Sequence, residues 1–207
     1  VPYQRGSWRN IMSLLPYASL THRRKKFRAT GDVVLLSSQT ATSDASLTFS
    51  SGITSTYGEY IFKYYLINPA TNDVRFLFQS STDGGSNYNT TMTTTSFRAY
   101  HSEADASGLA YQAGADLAQS TDYQPLAFHS IVNDADAGAA GELHLFNPAS
   151  TTYVKNFYSR CVFMGDGPYV GDAYAAGYFN TTSAINAISF KVASGDFDGT
   201  IKMWGVK

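Results

Sequence analysis

"EYIFKYYLINPATNDVRFLFQSS", residues 59–81, decides the fold class. In its first half Tyr60, Phe62, Tyr64 and Leu66 alternate with Ile61, Lys63, Tyr65 and Ile67. Successive strand side chains point to opposite faces, so one of these rows meets a core. The other is aromatic enough to be half covered. In the second half Val74, Phe76 and Phe78 share one face, with Arg75 and Gln79 on the other. Between the halves lies Asn68-Pro69. Proline locks φ and cannot donate a hydrogen bond, so this pair ends a strand and opens a tight turn. The same order recurs in "HLFNPASTTYVKNF" (144–157), which reads as a second hairpin of the same kind.

Working outward, further strand-like runs are "VVLLSSQT" (33–40), "SLTFSS" (46–51), "TMTTTSFRAY" (91–100) and "YQPLAFHSIVND" (123–134). They continue with "ELHLFNP" (142–148), "TYVKNFYSRCVFM" (152–164), "AYAAGYFN" (173–180), "AINAISFKVAS" (184–194) and "GTIKMWGV" (199–206). The Thr-rich run at 91–100 has the composition of an exposed strand. Pro125 places its strand start, or the whole strand, at an edge. In the last two runs Ile188, Phe190 and Val192, then Ile201 and Met203, face inward. Lys202 and Trp204 face outward, with Gly205 easing a bend. About ten strands at short spacing, joined by Gly, Ser, Asn and Asp turns such as "TDGGSNYN" (82–89), predict an all-β fold. The architecture expected is a two-sheet antiparallel β-sandwich, jelly-roll or concanavalin-like. No boundary interrupts residues 32–207, which are read as one domain.

Residues 1–31 are different. They hold seven of the 15 Lys and Arg and no Asp or Glu, leaving eight basic and 16 acidic residues in the body. A +7 irregular arm, with one short helix expected around Ile11–Leu15, is thus joined to a −8 domain. Its densest part is "THRRKKFR" (21–28), with Arg23, Arg24, Lys25, Lys26 and Arg28. Such a run can dock on an acidic protein surface, remain solvated, or bind phosphates. Since the body is acidic and offers no basic face to extend a nucleic-acid footprint, the preference runs in that order. No run of 18 apolar residues would cross a membrane as a helix. The start lacks the continuous apolar core of a signal peptide, so export by that route is not expected.

The single cysteine, Cys161, rules out an intrachain disulfide and a cysteine metal site, and is expected as a buried thiol. Candidate catalytic groups are sparse. The body has three glutamates, Glu59, Glu103 and Glu142, without the close carboxylate pair of a glycoside hydrolase. "HSEAD" (101–105) is the nearest candidate and reads as a solvated turn. His129 and His144 lie on runs that could neighbour each other, but no third metal ligand accompanies them. "VNDADAGAAGE" (132–142), with Asp134 and Asp136, and "GDGPYVGD" (165–172), with Asp166 and Asp172, have too few oxygen ligands for calcium. No nucleophile elbow, P-loop or dinucleotide fingerprint occurs. The sequons at Asn89 and Asn180 are discounted in a Thr-rich chain. No cofactor, metal or catalytic residue is therefore assigned.

Three stretches together carry a family resemblance: "YIFKYYLINPATNDVRFLFQSSTDGGSNYNTTMTTTSFRAYH", "GELHLFNPASTTYVKNFYS" and "GYFNTTSAINAISFKVASGDFDGTIKMWGVK". They resemble the small β-sandwich structural proteins of tailed, especially marine, bacteriophages, over roughly residues 40–207. The piece at 111–121 and the closing "SGDFDGTIKMWG" strand belong to the pattern. Trp204 stands where that family commonly has Tyr, and the basic arm is outside the pattern. The resemblance implies a non-enzymatic virion component: a tail fibre, tail appendage or capsid-decorating protein. It would be assembled in the host cytoplasm with other virion proteins as a homo-oligomer, trimers being the usual fibre arrangement. The arm would then dock the sandwich to the particle. The alternative is a carbohydrate-binding module contacting host-surface glycans. Outward aromatics motivate it: Tyr65, Tyr88, Tyr100, Tyr169, Tyr178 and Trp204, of which Tyr88, Tyr169, Tyr178 and Trp204 are the candidate glycan or subunit contacts. A glycoside hydrolase or lyase is the remote third reading.

Overall fold

The computed structural model describes residues 33–207, except the side chains of His129 and Ser130. Arg23, Arg24, Lys25, Lys26 and Arg28 of the arm lie outside the described residues, as does the helix expected at 11–15. Twelve strands follow in order: β1 (Val33–Asp44), β2 (Leu47–Phe49), β3 (Glu59–Pro69), β4 (Val74–Ser81), β5 (Met92–Ser102) and β6 (Ser107–Tyr111). They are completed by β7 (Gln124–Ile131), β8 (Ala139–Phe146), β9 (Lys155–Gly165), β10 (Tyr169–Phe179), β11 (Ala187–Val192) and β12 (Phe197–Val206). Every pairing is antiparallel. Eight strands form one sheet in the order β1-β12-β3-β8-β9-β10-β5-β6, and four form the other, β7-β4-β11-β2. A single pairing, Ile131 with Gly165, links their borders. The fold is the expected all-β two-sheet antiparallel sandwich.

Period-two alternation makes the sheets, and aromatic rings lock them face to face. Phe62 on β3 meets Phe49 and Phe190 at 5.4 and 5.5 Å between centroids. Phe76 on β4 meets Tyr64 and Phe197 across the gap at 5.2 and 6.1 Å. Phe78, also on β4, meets Phe157 and Phe179 at 5.0 and 6.2 Å. These tilted and edge-on geometries suit the ring quadrupole. Cys161 is fully buried, and burial pushes its thiol up to about 12. Lys155 is buried, its Nζ donating to the carbonyls of Thr181 and Ser183 at 3.1 and 2.6 Å. Desolvation lowers its pKa.

The strand parity holds for Tyr60, Phe62 and Tyr64, then breaks. Leu66 is 76% exposed and Ile67 fully buried, so these two exchange the rows that strict alternation assigns them. The cause is a bulge. Leu66 sits at φ 53°, the register with β8 shifts between Tyr64 and Ile67, and β12 shifts opposite, between Asp198 and Thr200. One extra residue inverts every later side chain of a strand. Gly199, at φ 147°, makes room: a Cβ there would meet the Ile67 side chain at 2.7 Å.

Other expectations change in tertiary context. Residues 65–76 are not a hairpin, because β3 and β4 lie in different sheets; residues 144–157 are one, joining β8 to β9. β6 was not anticipated at all. The Thr-rich β5 is exposed on one face only, since Met92, Thr94 and Ser96 are buried. There Gln124 closes a polar cluster, accepting from Thr94 Oγ1 at 2.6 Å and donating to Ala115 and Pro125 carbonyls. Gln79 is likewise buried, donating to the Thr121 and Asp122 carbonyls. Pro125 is the second residue of β7, at an edge of the four-stranded sheet, where its missing N–H does no harm. Gly205 does not ease a bend: it lies in regular register with Tyr60, and the Tyr57 ring packs on its Cα where a Cβ would collide.

Candidate functional site

The outer face of the eight-stranded sheet gathers the charged and aromatic side chains that alternation leaves outside. Register sets one row across it: Lys202, Lys63, Glu142, Arg160, Tyr174, Phe97 and Tyr111 on seven successive strands. The neighbouring row runs Trp204, Ile61, His144, Tyr158, Ala176 and Thr95.

Two clusters occupy these rows. In the first, His144 is clamped between carboxylates. Its Nδ1 lies 2.5 Å from Glu59 Oε1, and its Nε2 lies 3.2 Å from Glu142 Oε1, off the line of a hydrogen bond. Tyr158 stacks on the imidazole at 4.5 Å and 13°. Burial, then the charges of Glu59 and Glu142, raise the Tyr158 phenol. Lys63 reaches Glu142 at 3.6 Å. In the second cluster Arg160 grips Asp172 through two bonds, Nε to Oδ1 at 3.0 Å and Nη2 to Oδ2 at 2.8 Å. That pairing raises the guanidinium pKa and is the planar, bidentate form that gives direction as well as attraction. Tyr174 donates to Asp172 at 3.1 Å and stacks on Phe97 at 4.8 Å and 7°.

Beyond these rows the sheet ends in a cleft of about 810 Å³. Its floor is Leu66, Val162, Met164 and Val170, exposed by 76, 41, 38 and 50%. The β3 bulge is what turns Leu66 onto it. Its rim carries Glu103, Asp105 and Asp136, with His101 3.3 Å from Asp105. Among the described residues no Lys or Arg lines it. Three loops build the walls. Asn68, before Pro69, holds the 132–138 loop by donating to the carbonyls of Asp134 and Ala137 at 2.8 and 2.9 Å. The 102–106 turn is tied to the 165–169 turn by Glu103 N–H to the Pro168 carbonyl, 3.0 Å. Met164 N–H reaches the Gly138 carbonyl at 3.4 Å.

The residues singled out in the sequence do not converge. Trp204 and Tyr178 do lie on this outer face, but β3, β8 and β9 separate their strands. Trp204 is half-buried and its Nε1 is enclosed without a hydrogen-bond partner. Tyr65 is outward, with Lys202 5.4 Å from its ring centre. Tyr169 and Tyr100 take the other parity: they pack on each other and on Arg98, which donates to the Tyr169 hydroxyl at 3.3 Å. Tyr169 also covers Gly165, where a Cβ would collide with its ring. Tyr88 folds over Gly85 in the loop after β4, away from this face, and burial raises its pKa. His129 and His144 lie on β7 and β8, strands of different sheets that do not pair. Of the proposed oxygen ligands, Asp172 is occupied by Arg160. Among the described residues no group of three or more His, Cys, Asp or Glu is placed to hold a metal ion.

Sequence reasoning missed both clusters. The signal was present as spacing: Glu142 and His144, then Tyr158 and Arg160, are two apart and share a face. Only the pairing of β8 with β9 brings them together. Comparison with protein-family models, with curated proteins and with solved structures finds no match to this chain.

Proposed function

We propose that this chain is a non-enzymatic structural component of a tailed-phage particle, of the fibre, appendage or capsid-decorating type, that assembles with other copies and other virion proteins. One observation carries the reading: the eight-stranded sheet leaves apolar side chains uncovered on its outer face and along both edges. Leu66, Val162, Met164 and Val170 do so on the face, Val33 and Leu35 (49 and 46% exposed) on β1, Leu109 and Tyr111 (73 and 56%) on β6. Groups of large exposed apolar side chains commonly mark surface that a partner covers. The edges add to it. β1 is twelve residues long and uncharged until Asp44, whereas the four-stranded sheet protects its edges with a three-residue β2 and with Pro125. The sequence resemblance supplies the particle. Mass spectrometry of gradient-purified virions tests it: the chain is expected at stoichiometric copy number, and its absence from intact particles refutes the proposal. Deleting residues 1–31 is expected to leave a soluble sandwich that no longer joins the particle.

A second reading, contact with a host-surface glycan, is favoured by one feature of the same face. The Phe97–Tyr174 pair stands beside the planar Arg160–Asp172 pair, an aromatic platform next to fixed donors and acceptors. A glycan array with wild type and Phe97→Ala decides it; no binding to any host polysaccharide removes this reading.

A further inference from the structure

The cleft at the end of the outer face combines an apolar floor with a rim whose charged side chains, among the described residues, are acids beside one histidine. Asp134 and Asp166, on the same two wall loops, are also exposed. A neutral apolar ligand would leave the carboxylates unused, and a simple cation would leave the floor uncovered. The occupant that fits must present an apolar side chain flanked by several positive charges.

The chain contains one such segment. Residues 20–28, "LTHRRKKFR", place Phe27 between Arg23, Arg24, Lys25, Lys26 on one side and Arg28 on the other. We propose that the cleft receives this segment from a second copy of the chain, with Phe27 on Leu66, Val162, Met164 and Val170 and the flanking cations against Glu103, Asp105 and Asp136. The ring supplies the desolvated anchor and the charges supply steering and register.

Chain length argues for a second copy. The described chain begins at Val33, which pairs with Val206 at the far end of the sheet from the cleft. Phe27 lies six residue steps before Val33, a Cα-to-Cα span of at most about 21 Å. From β1 to β9 are four strand spacings, and Leu66 lies seven residues along β3 from the Glu59 end. At standard spacings that puts the cleft floor roughly 25 to 32 Å from Val33. The segment of a neighbouring copy has no such limit.

The inference rests on the reading of the chain as an assembling subunit, and its test is separate from that one. A fluorescein-labelled peptide of residues 20–29 is titrated into the full chain, alongside a Phe27→Ala peptide and a Glu103→Gln/Asp105→Asn/Asp136→Asn triple variant of the full chain. All three carboxylates are exposed, and unchanged circular dichroism and urea midpoint confirm that the variant folds. Binding is expected for the wild-type pair. It should weaken about tenfold or more with either the triple variant or the Phe27→Ala peptide, and fall as salt rises from about 50 to about 300 mM. Self-association of the full chain, read by sedimentation, should weaken with the same variant. Equal affinity for wild type and variant, or no binding at about 100 µM peptide, overturns the proposal. A chain present in purified virions with a cleft that ignores the peptide fails here alone; a chain that binds the peptide but is absent from virions fails the functional reading alone.

Discussion

The β3 bulge links the fold to the cleft, and Leu66 is where it can be tested. Leu66 holds φ 53° with its side chain 76% exposed. For an L-residue with a Cβ the left-handed region costs about 1–2 kcal/mol. Asparagine enters that region readily, because its short amide bonds locally. Replacing Leu66 by Asn therefore recovers about 1 kcal/mol of backbone strain. It forfeits the covered quarter of the side chain, roughly 0.5 kcal/mol of the 1.5–3 that full burial of a leucine gives. Leu66→Asn should come out about 0.5 kcal/mol more stable than wild type. Leu66→Val has the opposite sign, since a β-branched residue is a genuine outlier at positive φ. The two variants should differ by about 2 kcal/mol, a separation of about 1 M in urea midpoint for a slope near 2 kcal/mol/M. Equilibrium urea unfolding followed by circular dichroism, with the slope checked for constancy, measures it. Equal midpoints for Asn and Val, or an Asn variant more than about 1 kcal/mol below wild type, would refute the reasoning. The more stable Asn variant should also bind the cleft peptide less well, because the strained residue is the one that supplies floor.

Phe190 is fully buried and touches Phe49, Phe62, Phe76 and Phe78; Phe190→Ala should cost about 3–5 kcal/mol in the same urea experiment, and a loss below about 1 kcal/mol would mean that the aromatic seam is not what holds the sheets. Asp83 accepts from Ser81 Oγ, Asn87 N–H and Asn87 Nδ2, and these bonds, the Ser81 one foremost, lower its pKa to about 2. An ordinary aspartate titrates near 3.9, so its tie on the 82–89 loop is complete above about pH 4 and lost as the pH falls through about 2. Amide chemical shifts of Gly85 and Asn87 should follow that midpoint, and Asp83→Asn should abolish the transition; a midpoint near 4 in the wild type would sink the assignment.

Most strands are readable in the sequence because alternation is a local property. "EYIFKYYLINP" matches β3 to the residue, and the inward row Ile188, Phe190, Val192 is buried as its spacing demands. β6 escaped because five mostly exposed residues are too few to show an inward and an outward row. The bulge escaped for a different reason. Nothing in Tyr65-Leu66-Ile67 marks a positive φ; it is imposed from outside, where Gly199 and the shifted register of β12 accommodate the extra residue. Gly205 reads as a bend residue, yet at Gly205, as at Gly141, Gly165 and Gly171, a ring or a neighbouring backbone lies too close for a Cβ.

The sequence by itself determined the class of the fold, the buried thiol at Cys161 and the separation of a basic arm from an acidic body, because each follows from composition or from period two along one strand. The tertiary structure decided which strands are neighbours, and with that everything the outer face can do. Glu59, Glu142 and His144 span 86 residues of chain and meet only because β3 and β8 are adjacent. Leu66 joins Met164 and Val170, which are paired across β9 and β10, only because one residue of β3 inverts its parity. Proximity between strands far apart in sequence is set by packing and register, and no local pattern encodes it.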